Sequence, residues 1–156
     1  MDRSLIDRYA AGAREPSRWA QGLTREELNA TPVPGKWSVQ QVVLHVLDSD
    51  LIASHRMKRI IAEDMPLLIS YDETKFAAAL FYDRMDPAKA CELFALNREL
   101  TADVLRAVPD TAFERAGIHN QYGKMTLEQV VQGYVRHLEH HVTFVAEKRR
   151  LLGKPL

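Results

Sequence analysis

The sequence holds a single cysteine, Cys91, in 156 residues. No disulfide can therefore close within the chain, and no cysteine pair is available for structural zinc. Nor is there an uninterrupted apolar run approaching the ~20 residues that a membrane-crossing helix requires, because Asp, Glu, Lys or Arg breaks every hydrophobic segment within a few turns. Excess charge of one sign is also missing. The 21 basic residues equal the 21 acidic ones, which leaves no global field to gather nucleic acid or an anionic membrane. Strand signals are nearly absent, as are internal repeats and low-complexity tracts. The leading segment MDRSLIDRYAAGAREPSRW carries charges where a secretory leader needs an apolar core. These absences predict a cytoplasmic protein with no nucleic-acid or membrane partner, forming one domain over residues 1–156.

What is present is helical periodicity. Ser38-Val39-Gln40-Gln41 reads as a capping box opening a helix from Ser38 to Glu63, led in by the turn-rich Pro32–Trp37 and closed by Asp64-Met65-Pro66. Asp86-Pro87 opens a second helix that runs to Val108. Thr126-Leu127-Glu128-Gln129 opens a third, which ends near Leu152, with Lys148, Arg149 and Arg150 complementing its dipole. Leu5–Ala13 supplies a fourth, and Thr24 starts a short extra one. Pro66 to Met85 forms a long crossover between the Ser38 and Asp86 helices, the second and third of the four in chain order, with a short helix expected over Phe76–Tyr82. The fold class is therefore all-α, a four-helix bundle with one long connection.

Three of the six histidines fall in Arg136-His137-Leu138-Glu139-His140-His141. A step of four residues turns a helix by about 400°, so His137 and His141 lie about 40° apart on one face. Val130, Tyr134, Phe144 and Val145 share that face, so the pair looks inward. His140 lies towards Gln129, Arg136 and Glu147 and is left outside the site. On the helix from Ser38, His45 sits among Val42, Ile52, Ala53 and Ile60, whereas His55 points to the surface. A buried histidine is ordinarily a core residue satisfied by a carbonyl, but two inward imidazoles without a shared partner both need one. A metal ion held by His45, His137 and His141 meets that need. The chain has no HExxH, and no ExxH pair of the di-iron bundles. What remains is a mononuclear, all-nitrogen site with positions open to water or substrate.

Three runs, PGKWSVQQVVLHVLDSD, AEDMPLLISYDETKFAAAL and NQYGKMTLEQVVQGYVRHLEHH, resemble in order and spacing the YfiT-type metal-dependent proteins of the DinB-like superfamily. The resemblance spans Pro34 to Leu152. It implies an up-down-down-up bundle, a divalent metal ion, nickel or zinc, on the same His45–His137–His141 triad, and a homodimer. It also implies an S-transferase that uses bacillithiol or a related low-molecular-weight thiol as co-substrate. Val135 and Asp50 depart from the pattern, where relatives tend to carry Trp and His.

On this reading a thiolate sulfur attacks an electrophile beside the metal. Asp48, one turn after His45, is expected to orient an imidazole or accept a proton. Arg56 and Tyr134 are expected to bind substrate, Arg56 by receiving a carboxylate of the thiol. Tyr71-Asp72-Glu73 and Asn120-Gln121-Tyr122 are expected as pocket walls by loop position, and Cys91 as a buried, inert thiol. Two other readings stay open: a metal-dependent hydrolase of an amide or ester on the same triad, with Asp48 or Glu139 as base, and a non-catalytic metal-binding or dimerisation module.

Overall fold

The computed structural model describes residues 2–156. The chain enters through α1 (Ser4–Ala11), which a 3-10 turn over Gly12–Arg14 joins to α2 (Glu15–Ala20). A short α3 (Arg25–Asn29) precedes the long α4 (Val39–Ala62). The crossover carries β1 (Leu67–Leu68) and α5 (Glu73–Ala79) before α6 (Pro87–Ala107). A hairpin of β2 (Ala116–His119) and β3 (Gly123–Thr126) leads into α7 (Leu127–Leu151).

The helix starts are set by side chains. Ser38, Thr126 and Thr24 each accept from the backbone N–H three residues on, while Gln41, Gln129 and Glu27 reach back to the cap N–H. Each reciprocal pair satisfies two otherwise orphaned donors. Asp86 caps α6 ahead of Pro87, whose missing N–H costs nothing in the first turn.

Helix α4 packs on α6 and α7, and α1 packs on the same two, which closes the four-helix bundle. The expected amino-terminal helix Leu5–Ala13 is α1, which gives way to the 3-10 turn at Gly12, and α2 follows it as a separate helix. The expected helix over Phe76–Tyr82 starts earlier, because Asp72 caps the N–H of Lys75.

The small sheet is the departure from an all-helical reading. β1 runs parallel to β2 with Leu67 opposite Ile118, and β2 runs antiparallel to β3 with Ala116 opposite Thr126. Strands of two to four residues leave too little alternation to be read from sequence. Gly117 lets β2 approach the crossover, since a Cβ there would stand 2.8 Å from the Pro66 carbonyl oxygen. The sheet thereby ties the crossover to the segment that opens α7.

Apolar side chains form two clusters, one around Trp19, Val43, Phe94 and Leu138, the other around Ile6, Met57, Leu105 and Val131. Between them along the helices lies a buried polar layer. Arg98 Nε donates to Asp50 Oδ1 at 2.9 Å, and its two Nη groups donate to the carbonyls of Tyr9 and Tyr134. Asn97 donates to Asp50 from the same helix at 2.9 Å. Asp50 and Arg98 are 1% and 2% exposed, so Asp50 fastens α4 to α6 in the interior. Removing one partner of such a pair strands a buried charge. Arg98→Met should destabilise the fold by about 3–5 kcal/mol, and urea unfolding of the Asp50→Asn/Arg98→Met double variant should show a smaller loss than the two single variants summed.

Candidate metal centre

The inner faces of α4 and α7 bring His45, His137 and His141 together, with one nitrogen of each within 4.8 Å of the others. Nε2 of His137 lies 3.2 Å from Nε2 of His45 and 3.2 Å from Nε2 of His141. The rings meet nearly edge-on, at interplanar angles of 71°, 64° and 85°. Trp37, just ahead of the α4 cap, lies against His45 with ring centroids 4.9 Å apart.

Burial holds all three imidazoles far below their ordinary titration range. His45 and His137 fall to about 4 and His141 to about 3, with repulsion among the histidines adding to the effect. At neutral pH each presents a lone pair. An N–H of one ring can serve only one acceptor, so mutual hydrogen bonding cannot satisfy three converging Nε2 atoms. The Nδ1 atoms of His45 and His141 are buried without partners.

This donor set fits a divalent ion. Tetrahedral imidazole ligands at 2.0–2.1 Å from zinc stand about 3.3 Å apart, close to the spacing found. With Nε2 on the ion, Nδ1 carries the proton, as metal-ligating histidines do.

The other expected residues divide. Tyr134 and Arg56 line a cavity of ≈ 320 Å³ that reaches His137, joined there by Tyr71, Gln121 and Tyr122. His140 and His55 are exposed, as expected. Cys91 is buried, and burial raises its thiol.

Asp48 is not brought to the triad: its carboxylate accepts from the Tyr82 hydroxyl and lines neither cavity beside the histidines. Among the described residues Glu73 is the carboxylate within ion-pair reach of a triad nitrogen, with Oε2 3.8 Å from Nε2 of His45. It enters from α5 and lines both the first cavity and a second, of ≈ 330 Å³, bounded by Trp37, His141, Phe144 and Lys148. Sequence reasoning counted Glu73 only as a pocket wall, because helical phase carries no information across a crossover. His119 on β2, which also lines the first cavity, was missed along with its strand.

A helical bundle whose interior holds a triad of neutral imidazoles, one buried and two half-buried, open on two sides, defines a class of metal-site bundle. Residues 9–145 match the DinB superfamily. The chain belongs to that superfamily, as a YfiT-type member. It is 31% identical over 133 residues to YfiT of Bacillus subtilis, spanning 84% of this chain and 74% of that one. It is 30% identical over 135 residues to a Bacillus licheniformis protein, spanning 86% and 77%. Both relatives are provisionally named as metal-dependent hydrolases. The solved structure of B. subtilis YfiT superposes with a TM-score of 0.90 at 26% identity, covering 97% of this chain and 87% of that one. A mycothiol-dependent maleylpyruvate isomerase shares the fold alone, at a TM-score of 0.70 and 13% identity over 90% and 58%.

The depressed histidine values have a measurable sign. The unfolded chain binds protons near the ordinary 6.5 and the folded apoprotein only near 3 to 4, so protons favour unfolding between those limits. The stability of metal-free protein should be level above about pH 6.5 and fall as pH drops towards 4. In a His137→Gln/His141→Gln variant followed by urea unfolding, that part of the slope should flatten.

Proposed function

We propose that the chain is a metal-dependent S-transferase that joins a low-molecular-weight thiol to an electrophilic small molecule. The observation that carries this reading is the triad itself: three uncharged nitrogen donors, one buried and two half-buried, with open cavities beside them. His45, His137 and His141 would hold one divalent ion, nickel or zinc, both of which suit imidazole. A divalent ion there supplies an uncompensated positive charge that favours an anionic sulfur over a neutral one.

The remaining work falls to the chain's own side chains. Glu73, from its place near His45, accepts the proton that the incoming thiol releases; its side chain is half open to solvent, so the proton can leave. Asp48 acts at one remove: it holds the Tyr82 hydroxyl and so steadies the crossover against α4. Tyr134 lies with its ring centroid 6.0 Å from that of His137, and its hydroxyl accepts from Arg56 Nη1 at 2.8 Å, which places both residues along the wall that a bound substrate would touch. The sulfur then forms its bond to the electrophilic carbon, whose leaving group departs with the bonding pair.

The hydrolase reading draws support from the provisional names of the relatives. In it Glu73 takes the proton of an attacking water. The module reading finds an exposed apolar stripe on α6, Leu93, Leu96, Leu100 and Val104, which suits a homodimer and does not compete with chemistry at the triad. The open cavities argue against a purely structural ion.

Metal-loaded protein incubated with bacillithiol or a simpler thiol and a nitroaryl or epoxide electrophile should form the thioether, while ester and amide probes stay intact. Ester or amide cleavage without thioether formation would establish the hydrolase instead. Glu73→Gln should lower kcat by about 10²–10⁴ while leaving the metal content unchanged.

A further inference from the structure

Among the described residues three arginines are buried, and they are not satisfied alike. Arg98 has Asp50 as its counter-charge. Arg149 donates to the backbone carbonyls of Trp19, Gln21 and Lys154. Arg56, 8% exposed, has one carbonyl, that of Ile69, and one hydroxyl, that of Tyr134. Its Nε is buried without a partner. Among the described residues no carboxylate comes within ion-pair distance of it. A guanidinium removed from water with a donor unmet and no opposing charge is costly to keep.

The surroundings of Arg56 share its bias towards donors. The Tyr71 hydroxyl, on the same cavity, is buried and unpartnered. His119 Nδ1 accepts from the Gln121 N–H at 3.2 Å, so in the neutral ring Nε2 carries the proton and can donate. Burial, with Arg56 beside it, lowers the titration of His119 and keeps it neutral. Among the described residues Glu73 is the carboxylate that lines this cavity, and it stands at the triad end near His45. The second cavity also has a buried cation, Lys148, but its Nζ lies 5.6 Å from the centroid of the Phe144 ring, which partly engages it.

We propose that the Arg56 cavity is a carboxylate-binding subsite, and that the co-substrate reaching the triad carries a carboxylate seated on Arg56, Tyr71 and His119. The assignment deepens the transferase reading and rests on it only for the reacting end of the ligand. Tyr134 links the two ends, touching Arg56 through its hydroxyl and facing His137 with its ring, so a ligand of a few bonds spans them. The planar guanidinium favours a carboxylate, which it can engage in a bidentate manner, over a point anion such as chloride.

Calorimetric titration separates the two claims. Zinc-loaded protein should bind mercaptobutyrate at least about tenfold more tightly than mercaptobutanol, and metal-free protein should bind glutarate. Both the preference and glutarate binding should vanish in Arg56→Met. Arg56→Lys, which keeps the charge and loses the fork, should retain a reduced preference, and it decides the matter if Arg56→Met does not fold. Equal binding of the two thiols, or a preference that persists in folded Arg56→Met, would overturn the subsite and leave the transferase reading standing. Arg56-dependent glutarate binding with no binding of either thiol would support the subsite and remove the transferase reading.

Discussion

Burial of three imidazoles around one small volume is the constraint from which the rest of the site follows. Protonated, they would repel one another across 3.2 Å in a space that solvates charge poorly. Neutral, they leave lone pairs that neither a carbonyl nor a neighbouring ring can satisfy together. The fold keeps them there by stiffening both helices that carry them. Reciprocal caps fix the starts of α4 and α7, Trp37 packs on His45, and Arg98 fastens α4 through Asp50 while donating to the Tyr134 carbonyl on α7.

The order of the helices determines what stands over the triad. In the up-down-down-up bundle α4 and α6 run parallel, so the chain must travel back along the bundle between them. That return supplies Tyr71 and Glu73, and the parallel pairing of β1 with β2 holds it against the hairpin that carries His119. The bundle therefore provides the rigid donors, and its connections provide the cavity wall. Variation in those connections can change a substrate while leaving the metal ligands in place.

Helical phase made the triad readable before any coordinates, because His137 and His141 share a stripe with Tyr134 and Val145, and His45 shares one with Val42 and Ile60. The same arithmetic puts Arg56, eleven residues on, about 20° from His45 and leaves His55 and His140 outside. Phase ends with the helix that carries it. It selected Asp48 as the acidic neighbour because Asp48 is one turn from His45, whereas Glu73 arrives from another element. The strands were illegible for a different reason: β1 is two residues long, and its pairing with β2 is set by Gly117 and by contacts about fifty residues apart in sequence. The role of Asp50 was equally out of reach, because its counter-charge is an arginine on another helix.

X-ray absorption at the metal edge, on purified protein reconstituted with zinc or nickel and dialysed against chelator-treated buffer, tests the central claim directly. The account predicts about one equivalent of metal per chain, with three imidazole nitrogens at about 2.0–2.1 Å. A spectrum without imidazole scattering, or an equivalent of metal that survives replacement of His137 by Ala, would contradict it.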